Sequence, residues 1–521
     1  MNLEQAFATT SKVLFGEEIG KLDDYKDYLH EMMSPYQMKK SFVSGKDVMI
    51  SNQYYPKNAK FVSQDEMVRL KFPPLNPNEI KDIDSLFSAV EERIAYCGNK
   101  LFGQNYEVNE VDNCVDCNNI FHAHNVREVK YGAYLSYLRE SEYVFGVWGF
   151  PNSRTGMRLS EGVGSTRCFE SHYSSDISDM YYAFNCIGCQ NGIFAFNLRS
   201  KRNVIGNLEL PKDEFLELKK KLVSEMADEL KRKKTIFSIL DVAFFGRDKN
   251  VIPEEERAYD SPVPERIETA FSTTAKLVLG KEHVGIKKFG PWLLEKSVKV
   301  NKIKGAFGSP TYKVQELPIA KDIPGDRLIT LDEAFESAKK TIDLSENERP
   351  TLKELLAKVS KIAYFTEEFV SGQNESCIDT PSLFGGSNIY KCWDTTGGSK
   401  NCAYSGGVIR SDYIFGGGLR ILDCQFCINC FDSSKLKGCF EVDSSFNTKN
   451  SYFCHNVENA DNCMFCFNEK GLKYAIGNTT VGREEFERIK KILLEYLNKE
   501  LGSKKETEAS IFAIPKSEKK K

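Results

Sequence analysis

YIFGGGLRILDCQFCINCFDSSKLKGCFEVDSSFNTKNSYFCHNVENADNCMFCFNEKGLKYAI, residues 413–476, decides how this chain is expected to fold. No helical period runs through it. Short β-prone bursts begin at Tyr413, Cys424, Cys439, Tyr452, Cys463 and Tyr474, in steps of 11, 15, 13, 11 and 11 residues. Between them stand turn-formers such as Asn429, Asp432, Ser433, Asn447, Asn450, Asn459 and Asn462. Asparagine suits corners because it tolerates left-handed backbone and bonds its own main chain. Cysteine suits an inward position because it behaves as a small, easily buried hydrophobe. Short strands at such spacing predict a β-solenoid, in which each rung lies on the one before.

The same texture fills residues from about Asp112 to Asn207, and again from about Ser376 to Asn478. The flanks repeat too. EQAFATTSKVLFG (Glu4 to Gly16) returns as ETAFSTTAKLVLG (Glu268 to Gly280), an offset of 264. IAY with a following GQN (Ile94 to Asn105) returns at Ile362 to Asn374. FN and IGN (Phe196, Asn197, Ile205 to Asn207) return at Phe467, Asn468 and Ile476 to Asn478, and IFSI (Ile236 to Ile239) is answered by IFAI (Ile511 to Ile514). The pattern predicts a tandem duplication.

The fold class expected is therefore α+β, with two like modules: 1–247, with a solenoid over about 112–207 and a cap helix over about 212–234, and 267–521, with a solenoid over about 376–478 and a cap helix over about 482–501. A charged, Pro-containing linker (Asp248 to Arg266) separates them, and KSEKKK ends the chain as a frayed tail. Each module opens with a mixed segment and then a helix. One places Ile80, Ile83, Phe87, Val90 and Ile94 at helical spacing; the other does so with Leu352, Leu355, Leu356, Val359 and Ile362. Pro77 and Pro350 mark their starts. The cap helices present Phe215, Leu218, Leu222, Met226 and Leu230, and Phe486, Ile489, Leu493, Leu497 and Leu501, each set on one face.

At 521 residues the chain has room for two cores. No apolar run approaches the ~20 residues that cross a bilayer, and MNLEQAFATTSK lacks the features of a secretion signal. A net charge of −3 recommends neither nucleic acid nor membrane as partner. The 16 cysteines, in a long chain, read as reduced thiols in a cytoplasmic compartment.

Five C-x-x-C pairs occur: Cys114/Cys117, Cys186/Cys189, Cys424/Cys427, Cys427/Cys430 and Cys463/Cys466. CVDCNNIFHAH makes Cys114, Cys117, His122 and His124 the best zinc candidate, since thiolate and imidazole are the usual donors of a tetrahedral site. Against it, i and i+3 do not share a face of an extended strand. The pairs are thus expected to straddle a corner and to act as stacked filler, and the second module has no HAH. No pair precedes a helix, as thioredoxin-like chemistry requires. The glycines of GGS (Gly385 to Ser387), TGGSK (Thr396 to Lys400) and FGGGLR (Phe415 to Arg420) lack phosphate-loop spacing and read as corners. His172, near Cys168, Glu170 and Asp176, is the least implausible catalytic histidine, but a lone His among acids usually decorates a surface, and no catalytic residue is assigned. The lysines at 219–221, 231–234, 490 and 491 read as solvated helix faces.

NCMFCFNEKGLKYAIGNTTVGREEFERI (Asn462 to Ile489), FNLRSKRNVIGNLELPKDEF (Phe196 to Phe215) and SKNCAYS (Ser399 to Ser405) resemble the endings and the KNCY signature of a Cys-rich repeat family. Its members occur in candidate-phyla bacteria and large phages, often under a CoA-transferase name that looks spurious. The first module departs from the pattern, with six cysteines against ten. The family's Cys-Pro-x-x-Cys-Arg element is missing. The resemblance implies a repeat fold and, through the phage relatives, a place in a virion or other large particle. The expected function is a non-enzymatic structural or assembly protein that contacts other protein chains or copies of itself. A zinc- or thiol-dependent enzyme and a nucleic-acid-binding module are the alternatives.

Overall fold

Every third residue from Glu107 to Asn203 takes a positive φ, and this decides the architecture of the first array. The computed structural model describes residues 1–149, 152–245, 261–315, 317–345, 348–418 and 421–515. Most of the linker and the KSEKKK tail lie outside them. Among the described residues, helices combine with two large, mainly parallel sheets, one of 11 strands and one of 12.

In the first sheet, strands from Leu101–Phe102 to Leu208–Glu209 pair strictly in chain order. Lys130 pairs with Glu142, Glu142 with Arg154, Arg154 with Thr166, Thr166 with Ser178, Ser178 with Gln190 and Gln190 with Arg202, a constant register of 12. The left-handed residue in each triplet turns the chain, so the residue after it faces the interior. Val111, Cys114, Cys117, Ile120, Ala123, Val126 and Val129 all enter one buried cluster. Strict alternation holds for uninterrupted strand, whereas here a corner at Asp116 intervenes between Cys114 and Cys117. The C-x-x-C pairs do straddle corners, with both sulfurs inside.

The second sheet keeps the register at Phe440↔Tyr452 and Asp461↔Lys473. It slips to 13 at Gly386↔Ser399 and Asp412↔Gln425. The extra residues are absorbed at the glycine clusters: Gly397 and Gly398 have φ of 73° and 82°, and Gly416 and Gly417 of 71° and 116°. Both sheets end in a short antiparallel strand, Leu208–Glu209 or Thr479–Thr480, followed by a long helix, Lys212–Lys233 or Arg483–Ser503. The five apolar residues read from each helix are buried.

The described residues group into two compact units that are not contiguous in sequence. Unit 1 comprises 1–36, 99–259 and 301–369; unit 2 comprises 37–98, 260–300 and 370–521. Contiguous modules, 1–247 and 267–521, were the expectation. Instead, the segment that precedes each array belongs to the unit of the other array.

Within unit 1, helix Leu3–Phe15 lies on the sheet, with Phe7 on Phe145 and Phe15 on Phe169 at 5.1 and 5.0 Å between rings. Segment 301–369 docks through Phe365, whose ring meets Phe184 and Phe196, and through Tyr364 O, which accepts from Asn197 Nδ2 at 3.0 Å. Ile342 N donates to Gly206 O at 3.0 Å, and a Cβ at Gly206 would stand 2.6 Å from the Ile342 side chain. Helix Leu352–Val359 begins at the capping box of Thr351 and Glu354, and Leu352 N also donates to Glu225 at 2.7 Å.

Within unit 2, helix Glu265–Leu279 takes the matching place, with Phe271 on Phe415 and Tyr452 Oη donating to Val278 O. Segment 37–98 docks by the same contacts: Asn468 Nδ2 donates to Ala95 O at 2.7 Å, Tyr96 packs on Phe467, and Arg93 Nη1 donates to Gly477 O at 2.9 Å. Its helix spans Ile83–Glu91, and Pro77 opens a separate 3-10 turn before it.

Candidate functional site

The thiols come first, because the zinc expectation rests on them. All 16 cysteines are free, and all but Cys377 are buried. Several inward Sγ atoms meet main-chain carbonyls two residues before and nine after, and others the first of these alone. Cys186 reaches Phe184 O at 3.5 Å and Ala195 O at 3.4 Å, and Cys439 reaches Lys437 O and Thr448 O, both at 3.6 Å. Ser171 uses its hydroxyl identically toward Phe169 O and Met180 O. Cysteine thus fills volume and donates weakly to the neighbouring rung. Burial pushes the thiols of Cys168 and Cys392 up to about 12, which disfavours the thiolate at those two positions, whereas the hydrogen bond with Cys186 lowers Cys189 to about 7 and that with Cys114 lowers Cys117.

The structure does not bring Cys114, Cys117, His122 and His124 together. Cys114 and Cys117 lie inside the first array. His122 is a corner residue with φ of 51°, and His124 faces outward beneath Ser34, whose carbonyl lies 3.1 Å from His124 Nε2. The triplet geometry sends the two sulfurs inward, sets His122 at a corner and turns His124 outward. Burial lowers His124 to about 4 and keeps it neutral. Among the described residues, no three His, Cys, Asp or Glu side chains are grouped to hold a metal ion.

His172 is not surface decoration. It is fully buried between Ser160, whose Oγ lies 2.8 Å from His172 Nδ1, and Glu170, whose Oε2 lies 3.2 Å from Nε2. Glu170 also accepts from Arg158, from Tyr28 Oη at 3.3 Å and from Ile239 N at 3.3 Å. Burial alone would raise the Glu170 carboxyl, but Arg158 and His172 hold it below its ordinary value. Burial lowers His172 despite Glu170, which favours the neutral ring. Serine, histidine and carboxylate are the parts of a hydrolytic triad, yet Ser160, His172 and Glu170 are all 0% exposed. The network ties the helix that carries Tyr28 and the IFSI segment to the array.

Unit 2 carries a related arrangement with different partners. Glu441, 0% exposed, accepts from Ser510 Oγ at 2.8 Å and Ile511 N at 3.0 Å, anchoring IFAI as Glu170 anchors IFSI. Beside it Asp443 meets His455 Nδ1 at 2.9 Å, and Cys97 N donates to His455 Nε2 at 3.2 Å. Glu170 and Glu441 stand 271 residues apart, the offset of FN and IGN, and that offset was the signal in the sequence by which both could have been found.

Several lysines of these faces are paired with acids nearby. Lys221 meets Glu225, Lys231 meets Glu17 and Asp228, Lys233 meets Glu229, Lys234 meets Asp24 and Lys491 meets Glu495. No helix among the described residues is long and apolar enough to cross a membrane. Comparison with protein-family models, with curated proteins and with solved structures finds no match to this chain.

Proposed function

We propose that this is a non-enzymatic structural protein, built from two duplicated modules whose four-sided β-solenoids present stiff faces to other protein chains or to further copies of itself. One observation carries the reading: a register of 12 with a corner at every third residue, sustained over six consecutive pairings from Lys130 to Arg202. Four triplets make one rung, so each outer face repeats a side-chain position at every strand spacing, roughly 4.8 Å. Such a face is a ruler for a periodic neighbour, and a duplicated chain offers it twice. Reduced thiols as filler suit assembly in a reducing compartment, and a virion or another large particle is the setting we assign.

The test is sedimentation and electron microscopy of the purified chain from nanomolar to high micromolar concentration. Concentration-dependent oligomers, filaments or particles are expected. A strict monomer throughout that range, with no protein partner recovered from the native particle fraction, would remove the reading.

A further inference from the structure

We propose that His30, Tyr36 and His122 form a site for a divalent transition-metal ion of the zinc or cobalt(II) kind, with Glu110 orienting His122 behind it. The inference is independent of the assembly role, and it regroups His122 with donors the sequence did not associate with it.

The three donors meet at one point. Tyr36 Oη lies 2.9 Å from His30 Nε2 and 2.6 Å from His122 Nε2. On the far side of its ring, His122 Nδ1 lies 2.8 Å from Glu110 Oε2. A carboxylate only accepts, so Nδ1 carries the His122 proton and the Nε2 lone pair points at Tyr36. That is the carboxylate–histidine pairing that fixes the tautomer of metal-bound imidazoles. Tyr36 has one proton, which it gives to His122, leaving His30 to donate Nε2–H to the phenol oxygen. A cation entering this point replaces the proton held between Tyr36 and His122, while His30 shifts its own proton to Nδ1.

The dimensions fit. Two imidazoles on one tetrahedral ion, each bound through Nε2 at about 2.0–2.1 Å, place their ring centres roughly 5 Å apart. The rings of His30 and His122 stand 5.6 Å apart, inclined at 61°. Donor atoms around such an ion are separated by about 3.3 Å, so the present contacts need to open by roughly half an ångström. Tyr134, itself buried, walls the site, with its ring 5.5 Å from that of His122. His30 is exposed and gives entry from solvent. Asp27 and Glu110 supply negative charge around the site. The third donor is a phenol, and the fourth position falls to water.

The experiment is titration of the full chain with cobalt(II), followed by optical absorption and calorimetry, with zinc as competitor. One saturable equivalent is expected, with weak visible d–d bands and no near-ultraviolet sulfur-to-cobalt charge transfer. His30→Gln and His122→Gln should each weaken binding by at least about tenfold, and Glu110→Gln by about tenfold. Cys114→Ser should leave the spectrum unchanged. Affinity should fall as pH drops through the imidazole range, near 6.5. Circular dichroism checks folding, and His30→Gln, at an exposed position, serves as the variant least able to unfold the chain. Absence of saturable uptake overturns the proposal. So does a charge-transfer band, or an affinity indifferent to both histidine substitutions.

Discussion

Two buried side chains in unit 1 make its stability depend on pH in opposite senses. Burial pushes the Glu367 carboxyl up to about 8, against the pull of Tyr173 and Lys313. Because the folded form binds this proton more tightly, stability is highest below the ordinary carboxyl range and declines as pH rises toward 8. Glu367→Gln should flatten that decline, worth on the order of a few kcal/mol, in denaturant titrations at pH 5 and pH 9. His124, lowered to about 4, acts the other way. The unfolded chain takes up its proton below about 6.5, so stability is lost as pH falls from there toward 4, by roughly 3 kcal/mol. His124→Gln should remove that loss in the same measurement; a profile unchanged below pH 6.5 would show that His124 does not titrate as described.

At the scale of the strand and its corners, the array depends on residues that tolerate left-handed backbone and also bond to the next rung. Asn185 does both: its Nδ2 donates to Asn197 Oδ1 at 2.9 Å, and Asn456 does the same toward Asn468 at 3.2 Å. Asn185→Ala should cost about 1–2 kcal/mol for the strained backbone plus about 1 kcal/mol for the bond. Asn185→Gly should recover the backbone part, and equal losses in the two variants, measured by chemical denaturation, would place the whole effect in the side chain. Where corners are aromatic, stacking replaces the amide bond: Phe453 on Phe465 is 5.0 Å between ring centres at 5°, and Tyr182 on Phe194 is 4.9 Å at 23°.

The strands, corners and long helices were legible because Cys, Asn and aromatic residues mark the triplets. The period was blurred, since aromatic bursts can begin at any of three triplet positions and so appear 11 to 15 apart. With 12 in hand, Arg158/Glu170, Ser160/His172, Asp443/His455, Lys100/Asp112 and Glu110/His122 become stacked neighbours. Sequence proximity had pointed to Cys168, Glu170 and Asp176 around His172 and to the HAH pair. Glu170 does meet His172, whereas Ser160, the other partner of that ring, stands one rung away.

At the scale of the whole molecule, the exchange of segments 37–98 and 301–369 was not legible at all. The two segments share IAY, and an asparagine of each array receives one of them, through Tyr364 O in one unit and Ala95 O in the other, so the motif alone does not single out a pairing. The exchange predicts that a defect early in the chain appears late in it. Tyr96 packs on Phe467 and donates to Ile511 O at 2.7 Å. Tyr96→Ala, expected to cost about 3–5 kcal/mol, should speed amide hydrogen exchange over residues 440–478 and leave 106–205 protected. Faster exchange confined to 106–205 would contradict the assignment of segment 37–98 to unit 2.

The exchange also sets a timetable for biosynthesis. Residues 37–98 leave the ribosome long before the strands that will cover them have been translated. At 5–20 residues per second, the wait for residue 478 lasts roughly 20–80 s. Throughout that interval the apolar side of the segment, with Phe61, Phe87 and Tyr96, has no permanent lodging and is open to chaperones or to a nascent sister chain on the same message. A sister chain that is further along would offer the same docking place, so crowded polysomes are expected to favour interlinked dimers, and fast, dilute translation the closed monomer.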